Sequence, residues 1–164
     1  MASASITSSR RLLQTVCSLF LCATGCSPLP PTAAVAVPPI RAGAARAWFY
    51  RDPGPYDCLS TPYLRMNEAI VGVSQIGGAS YRDVAPGQYL VTVDNYLQAP
   101  DQTRNVYLFP GQQVYFKIVC LRNWITGGGG RNDNGYSRDT FFVWQMPPEV
   151  AQGDVARSQF YGGG

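Results

Sequence analysis

Apolar and polar residues alternate with a period of two in short runs from residue 47 onward. Most of these runs end at glycine or proline. That is the pattern of half-buried strands, whose successive side chains point to opposite faces. In Gln88–Asp94 the residues Tyr89, Val91 and Val93 share one face; in Gln112–Val119, Val114, Phe116 and Ile118 do so, with Tyr115 and Lys117 opposite. Ala47–Tyr50, Ala79–Val84, Asn105–Phe109 and Thr140–Met146 read as further strands. Tyr63–Asn67 and Ala69–Val73 flank a tight connection and predict a hairpin. Nothing after residue 46 sustains a 3.6-residue period. The pattern therefore predicts an all-β fold, a small antiparallel β-sandwich of the immunoglobulin or transthyretin-like kind.

The strongest local signals are Ala85-Pro86-Gly87-Gln88 and Phe109-Pro110-Gly111-Gln112. Proline presets φ at the first central turn position, and glycine admits positive φ at the second, as a type II turn requires. Each precedes an alternating strand, so each predicts a hairpin turn. The tail after Pro147-Pro148 is open to a strand or a short helix, and Gly162–Gly164 is expected to fray. Gly127–Gly130 and Asn132-Asp133-Asn134-Gly135 predict a flexible loop over 122–139.

Residues 1–46 have a different texture. Arg10 and Arg11 precede an apolar stretch from Leu12 to Ala23, 12 residues long. As a helix it would be roughly 18 Å long, short of the roughly 30 Å hydrocarbon core. It reads as a signal peptide over 1–25. Ala23-Thr24-Gly25-Cys26 resembles a lipobox, making Cys26 the lipid-attachment residue; cleavage of a plain signal peptide near Gly25 is the alternative. Ser9-Arg10-Arg11-Leu12-Leu13 leaves the general and twin-arginine export routes both open. Residues 27–46 contain 5 prolines and predict a disordered tether within 26–46. Extended as polyproline II, it would reach about 60 Å. Ser27, where Asp would favour inner-membrane retention, points by analogy to the outer membrane, facing the periplasm.

Composition then narrows the chemistry. The chain has no His, which removes Ser-His-Asp and Cys-His nucleophilic systems and the usual zinc sites. No cofactor or metal is expected. Without Arg10 and Arg11 the charge is 11 basic against 10 acidic, scattered without a stripe, so no nucleic-acid partner is expected. Cys58 and Cys120 are the cysteines left after the signal; in an oxidising compartment they are either a disulfide or two buried thiols. Asp52 and Asp57, around Pro53-Gly54-Pro55-Tyr56, could be an acid–base pair or ordinary turn residues. Asn132–Gly135 has oxygen ligands but lacks the spaced acids of a calcium loop.

The order of motifs over residues 46–146 resembles a family of bacterial lipoproteins known by a domain of unknown function, DUF2846. The residues that carry the resemblance are Trp48-Phe49-Tyr50-Arg51, Met66-Asn67-Glu68-Ala69 before Ile70-Val71-Gly72, Pro86-Gly87-Gln88-Tyr89, and Pro110-Gly111-Gln112 before Val114-Tyr115-Phe116. PEGA and transthyretin-like modules share these turn and strand signatures. The loop 122–139 departs from the family pattern. The resemblance implies an envelope location and a sandwich fold, and no activity.

The expectation is thus an exported, membrane-anchored lipoprotein whose 47–164 domain is a non-catalytic binding or assembly module. The alternative is an envelope hydrolase using carboxylates on a cell-wall polymer. Partners would be the membrane, through the lipid, and an envelope protein or polymer. The expected contacts are the loop 122–139, with Trp124 and Tyr136, and exposed aromatics near Tyr56 and Tyr63, because loops present such groups on a rigid scaffold.

Overall fold

A computed structural model describes residues 28–54, 58–95, 100–125 and 136–164, with backbone alone for 122–125 and 136–138. Among the described residues nine strands form two sheets, an all-β sandwich. The first sheet contains β1 (Ala45–Tyr50), β4 (Gly78–Val84), β7 (Gln113–Ile125), β8 (Tyr136–Met146) and β9 (Gln159–Gly163), in the order β8-β7-β1-β4-β9. The second contains β2 (Tyr63–Met66), β3 (Ala69–Val73), β5 (Gly87–Val93) and β6 (Arg104–Leu108), in the order β3-β2-β5-β6. The second sheet is antiparallel, as expected. The first is mixed, because β1 runs parallel to β7 and β4 parallel to β9.

The predicted alternation sets the core. Val91, Val93, Val114, Phe116 and Ile118 meet between the sheets with Phe49, Leu64, Leu108, Phe141 and Val143. Phe49 stacks on Phe116 at 5.5 Å between ring centres. Every residue of β1 is buried. Ala45, Ala47 and Phe49 face the sandwich core, while Trp48 and Tyr50 face a second cluster with Tyr81, Tyr115, Ala151 and Val155. A strand covered on both faces has no polar side to show, which is why Ala47–Tyr50 reads as a continuous apolar run.

The predicted hairpin of β2 and β3 forms. Asn67 and Glu68 occupy its turn at φ 47 and 68°, the left-handed pair that suits the twist of a two-residue connection. The two Pro-Gly turns have a different role from the one expected. Phe109–Gln112 closes as predicted, with the Gln112 N–H donating to the Phe109 carbonyl at 3.1 Å and Gly111 at φ 75°. But β6 belongs to the second sheet and β7 to the first, and likewise β5 and β4, so both turns cross between sheets. Turn chemistry fixes a chain reversal. The sheet the next strand joins is decided by β1, which occupies the place between β4 and β7.

Both ends of the domain correct the sequence expectation. The tail forms helix α1 (Pro148–Arg157) and then β9. Pro148 suits a first helical turn, which needs no backbone donor, and Glu149 and Arg157 complement the helix dipole. Gly162–Gly164 does not fray: β9 pairs with β4, and the Gly164 carbonyl accepts the Asp83 N–H at 3.1 Å. A Cβ on Gly163 would lie 2.0 Å from the Tyr81 ring, which is itself buried against Trp48 and Phe160. Gly163→Ala should therefore destabilise the domain by about 1–3 kcal/mol, the usual range for overpacking. Chemical denaturation compared with Gly162→Ser, where open space surrounds the position but φ is positive, separates the clash from backbone strain.

The expected disordered tether is docked from Pro30 onward. The Pro30 carbonyl accepts the Phe160 N–H at 2.9 Å, and Thr32 donates from its N–H and its hydroxyl to the Ser158 carbonyl at 2.8 and 2.9 Å. Thr32–Ala34 makes one 3-10 turn, and Val37 packs on the second cluster. Prolines exclude a central strand, yet a sheet edge asks for no second row of donors, so Pro31 can lie opposite Gln159. Arg46 fixes the same segment. Its guanidinium donates to both Asp83 carboxylate oxygens at 2.6 and 2.9 Å and to the Pro38 carbonyl at 2.8 Å, and lies 4.0 Å from the Tyr81 ring centre.

Candidate functional site

β1 ends at Tyr50, paired with Lys117, whereas β7 runs on for eight residues to Ile125. Ile118, Cys120, Phe141 and Val143 still pack on the core, so the projecting two-stranded arm begins at Leu121 and, at about 3.3 Å per residue, reaches roughly 16 Å to Ile125. The flexible loop expected over 122–139 is thereby shortened from both ends, since Arg122–Asp139 through Ile125–Tyr136 are paired. The arm is held by its own ladder, so its sequence need not carry the apolar face that marks a strand packed on a core.

Four contacts pin the arm's base. Cys58 and Cys120 form a disulfide with their Cα atoms 6.0 Å apart, joining β7 to the segment before β2. The Ser60 hydroxyl donates to Asp139 at 2.6 Å. Arg51, fully buried, donates to the carbonyls of Cys58 and Ser60 and lies 5.1 Å from the Phe141 ring centre. The Asn95 amide pairs with the backbone of β8: its nitrogen donates to the Phe141 carbonyl at 2.9 Å, and its oxygen accepts the Phe141 N–H at 2.6 Å. Asn95 thus takes the place of a neighbouring strand at one point of an open sheet edge. Asn95→Ala should cost about 1–3 kcal/mol, the range for leaving buried backbone groups unpaired. Faster hydrogen exchange at the Phe141 amide checks it.

Between the arm's base and β2 lies an open groove of about 420 Å³, lined by Ser60, Thr61, Pro62, Tyr63, Asn95 and Phe141, with Asp94 at its side. Tyr63 is 49% exposed. Asp94 accepts two hydrogen bonds from Arg65, at 2.7 and 3.1 Å. An aromatic wall beside amide and hydroxyl groups suits stacking on a sugar ring or a peptide with hydrogen bonds at its rim.

The expected site residues separate into three groups. Tyr63, Cys58 and Cys120 come together at this groove and the arm's base. Trp124 and Tyr136 lie on the arm by their backbone, in strands instead of a loop, and their side chains lie outside the described residues. Cys26, Tyr56, Asp57 and Asn132–Gly135 also lie outside the described residues. Asp52 stands elsewhere, in an ion pair with Lys117 at 2.5 Å. Cys58, Cys120 and Asp139 have the spacing of a metal set, but the two sulfurs are joined in the disulfide. Arg51, Asn95 and Phe141 escaped the site expectation. Arg51 had a signal, as the charged end of an aromatic strand; Asn95 had none.

Among the described residues no helix is long and apolar enough to cross a membrane. No family model, curated protein or solved structure matches the chain.

Proposed function

We propose that this protein is an envelope lipoprotein, acylated at Cys26, whose sandwich is a non-catalytic recognition module. Its partner surface is the arm together with the groove at the arm's base. The observation that carries this reading is the investment of a disulfide, a buried arginine and a strand-mimicking asparagine in holding a projection that adds little to the core. Rigid presentation of a protruding element lowers the ordering cost of binding. The resemblance to DUF2846 lipoproteins supports the compartment, and the partner class is an envelope protein or wall polymer. Asp52 and Asp94 are each engaged by a basic side chain, which suits structural carboxylates better than a hydrolytic pair.

The test shortens the arm. Replacing residues 124–137 by Asn-Gly leaves Asn123 and Arg138 to close a two-residue hairpin. The thermal midpoint should stay within about 3 °C, because the pinned base is kept. Partners crosslinked to the intact protein in cells should be lost. Unchanged capture would remove the arm from the reading. Cys26→Ser should abolish detergent-phase partitioning and fatty-acid labelling. Turnover of a wall polymer, lost on Asp52→Asn, would make the protein a hydrolase instead.

A further inference from the structure

The inner faces of the two sheets end in polar side chains at one corner of the sandwich. On β6, Val106 and Leu108 lie in the core, and strand alternation puts Arg104 on the same face. On β8, Phe141 and Val143 lie in the core, and alternation puts Gln145 on the same face. β6 and β8 are edge strands of opposite sheets and approach one another. Arg104 and Gln145 therefore share the rim between the sheets. With Met146, Pro147 and Pro148 they line an open groove of about 490 Å³. Gln145 is four residues from Phe141, or about 13 Å along β8, so this groove is distinct from the one at the arm's base.

Arg104 differs from the arginines on neighbouring strands. Arg46 is paired with Asp83, Arg65 with Asp94, and Arg82 donates to the Val71 carbonyl. Among the described residues Arg104 makes no ion pair, and its Nε is shielded from solvent without a hydrogen-bond partner. A guanidinium cannot lose its charge to relieve this, and buried donors in native proteins are normally met by an acceptor. The groove is the route by which an acceptor reaches it.

The donor geometry selects that acceptor. Nε and one Nη form a planar two-donor edge that matches the two oxygens of a carboxylate. Gln145, exposed on the facing strand, can add an amide donor. One guanidinium balances one negative charge, and Glu149, in the first turn of α1 next to Pro148, disfavours a second. We propose that Arg104 and Gln145 bind the carboxylate of a ligand of this domain. The site depends on neither the arm nor acylation of Cys26.

The experiment titrates the isotope-labelled full-length protein with N-acetylglycine at constant ionic strength. The reporters are the NMR signals of the Arg104 Nε–H and of the Gln145 and Met146 backbone amides. All three should shift saturably and together. N-acetylglycinamide, the same molecule without its charge, should bind at least about tenfold more weakly, the loss expected for a charge-assisted hydrogen bond. Arg104→Gln should weaken N-acetylglycine binding by a similar factor, read at the two amides. Gln145→Leu, at an exposed position, should weaken it about threefold, the worth of a neutral hydrogen bond, and serves if Arg104→Gln does not fold. Equal binding of the neutral analogue overturns the proposal, as does a linear shift that chloride reproduces. Tighter binding of inorganic phosphate than of N-acetylglycine overturns the carboxylate assignment. Unchanged binding in folded Arg104→Gln, or in Gln145→Leu, removes that residue from the site.

Discussion

Asp83→Ala is expected to lower the unfolding free energy by about 3–5 kcal/mol, the cost of breaking a buried ion pair from one side. Arg46 and Asp83 are directly opposite one another on β1 and β4, with side chains only 3% and 6% exposed. Removing the carboxylate leaves a guanidinium in the layer between the sheet and the N-terminal segment, where Tyr81 and the Pro38 carbonyl cannot neutralise it. The same logic predicts that Arg46→Met combined with Asp83→Leu is much milder than either single change, because no charge is then stranded. The pair also predicts acid sensitivity. The hydrogen bonds from Arg46 hold the Asp83 carboxyl below the usual carboxylate range. The stabilisation is therefore complete above the unfolded-state value of about 3.9 and is lost as pH falls through the lower folded-state value. Urea melts from pH 7 down to pH 2 should show this slope in the wild type and a flatter one in the double variant. A single variant as stable as the wild type would mean that the pair contributes nothing.

Replacing Cys58 and Cys120 together by Ser should cost about 4 kcal/mol on the chain-entropy account of a loop this long. Domains of this size have about 5–15 kcal/mol in total, so the loss is a large share of the fold's stability. The thermal midpoint should fall by about 10–20 °C. The effect should also be local. Freed from Cys120, the segment carrying Cys58 and Ser60 loses its covalent hold on the arm, and limited proteolysis should begin there before the sandwich itself opens. Calorimetry with and without reductant measures the first effect. Thiol trapping on the unreduced protein is the direct check, and two alkylated cysteines would refute the pairing.

The parts of this fold that could be read from sequence are those where one side chain after another answers to the same face. Val91 and Val93 alternate with exposed Leu90 and half-buried Thr92, and Val114, Phe116 and Ile118 alternate with Tyr115 and Lys117, whose polar tips mark the other face even though Tyr115 is buried against the second cluster. The parts that could not be read depend on partners far along the chain. Pro86-Gly87 and Pro110-Gly111 announce reversals but carry no mark of the sheet that follows. β9 is Gln-Phe-Tyr-Gly-Gly, a poor strand by propensity, and its glycine is required by a tyrosine about 80 residues earlier. The docking of Pro30–Val37 was hidden for a related reason: proline-rich composition excludes regular structure without excluding ordered packing. At the candidate site, Tyr63 and the cysteines were visible as residue types. Asn95 was not, because its role lies in reaching a strand 46 residues away.

The mutual hold of the first and last described elements has a consequence in time. Thr32 finds its acceptor at Ser158, 126 residues later, and β4 keeps an open edge until β9 arrives. A chain emerging from its N-terminus during synthesis therefore cannot complete the first sheet until β9 has emerged. Until then Tyr81 and Trp48 lack the cover that Phe160, α1 and the N-terminal segment provide.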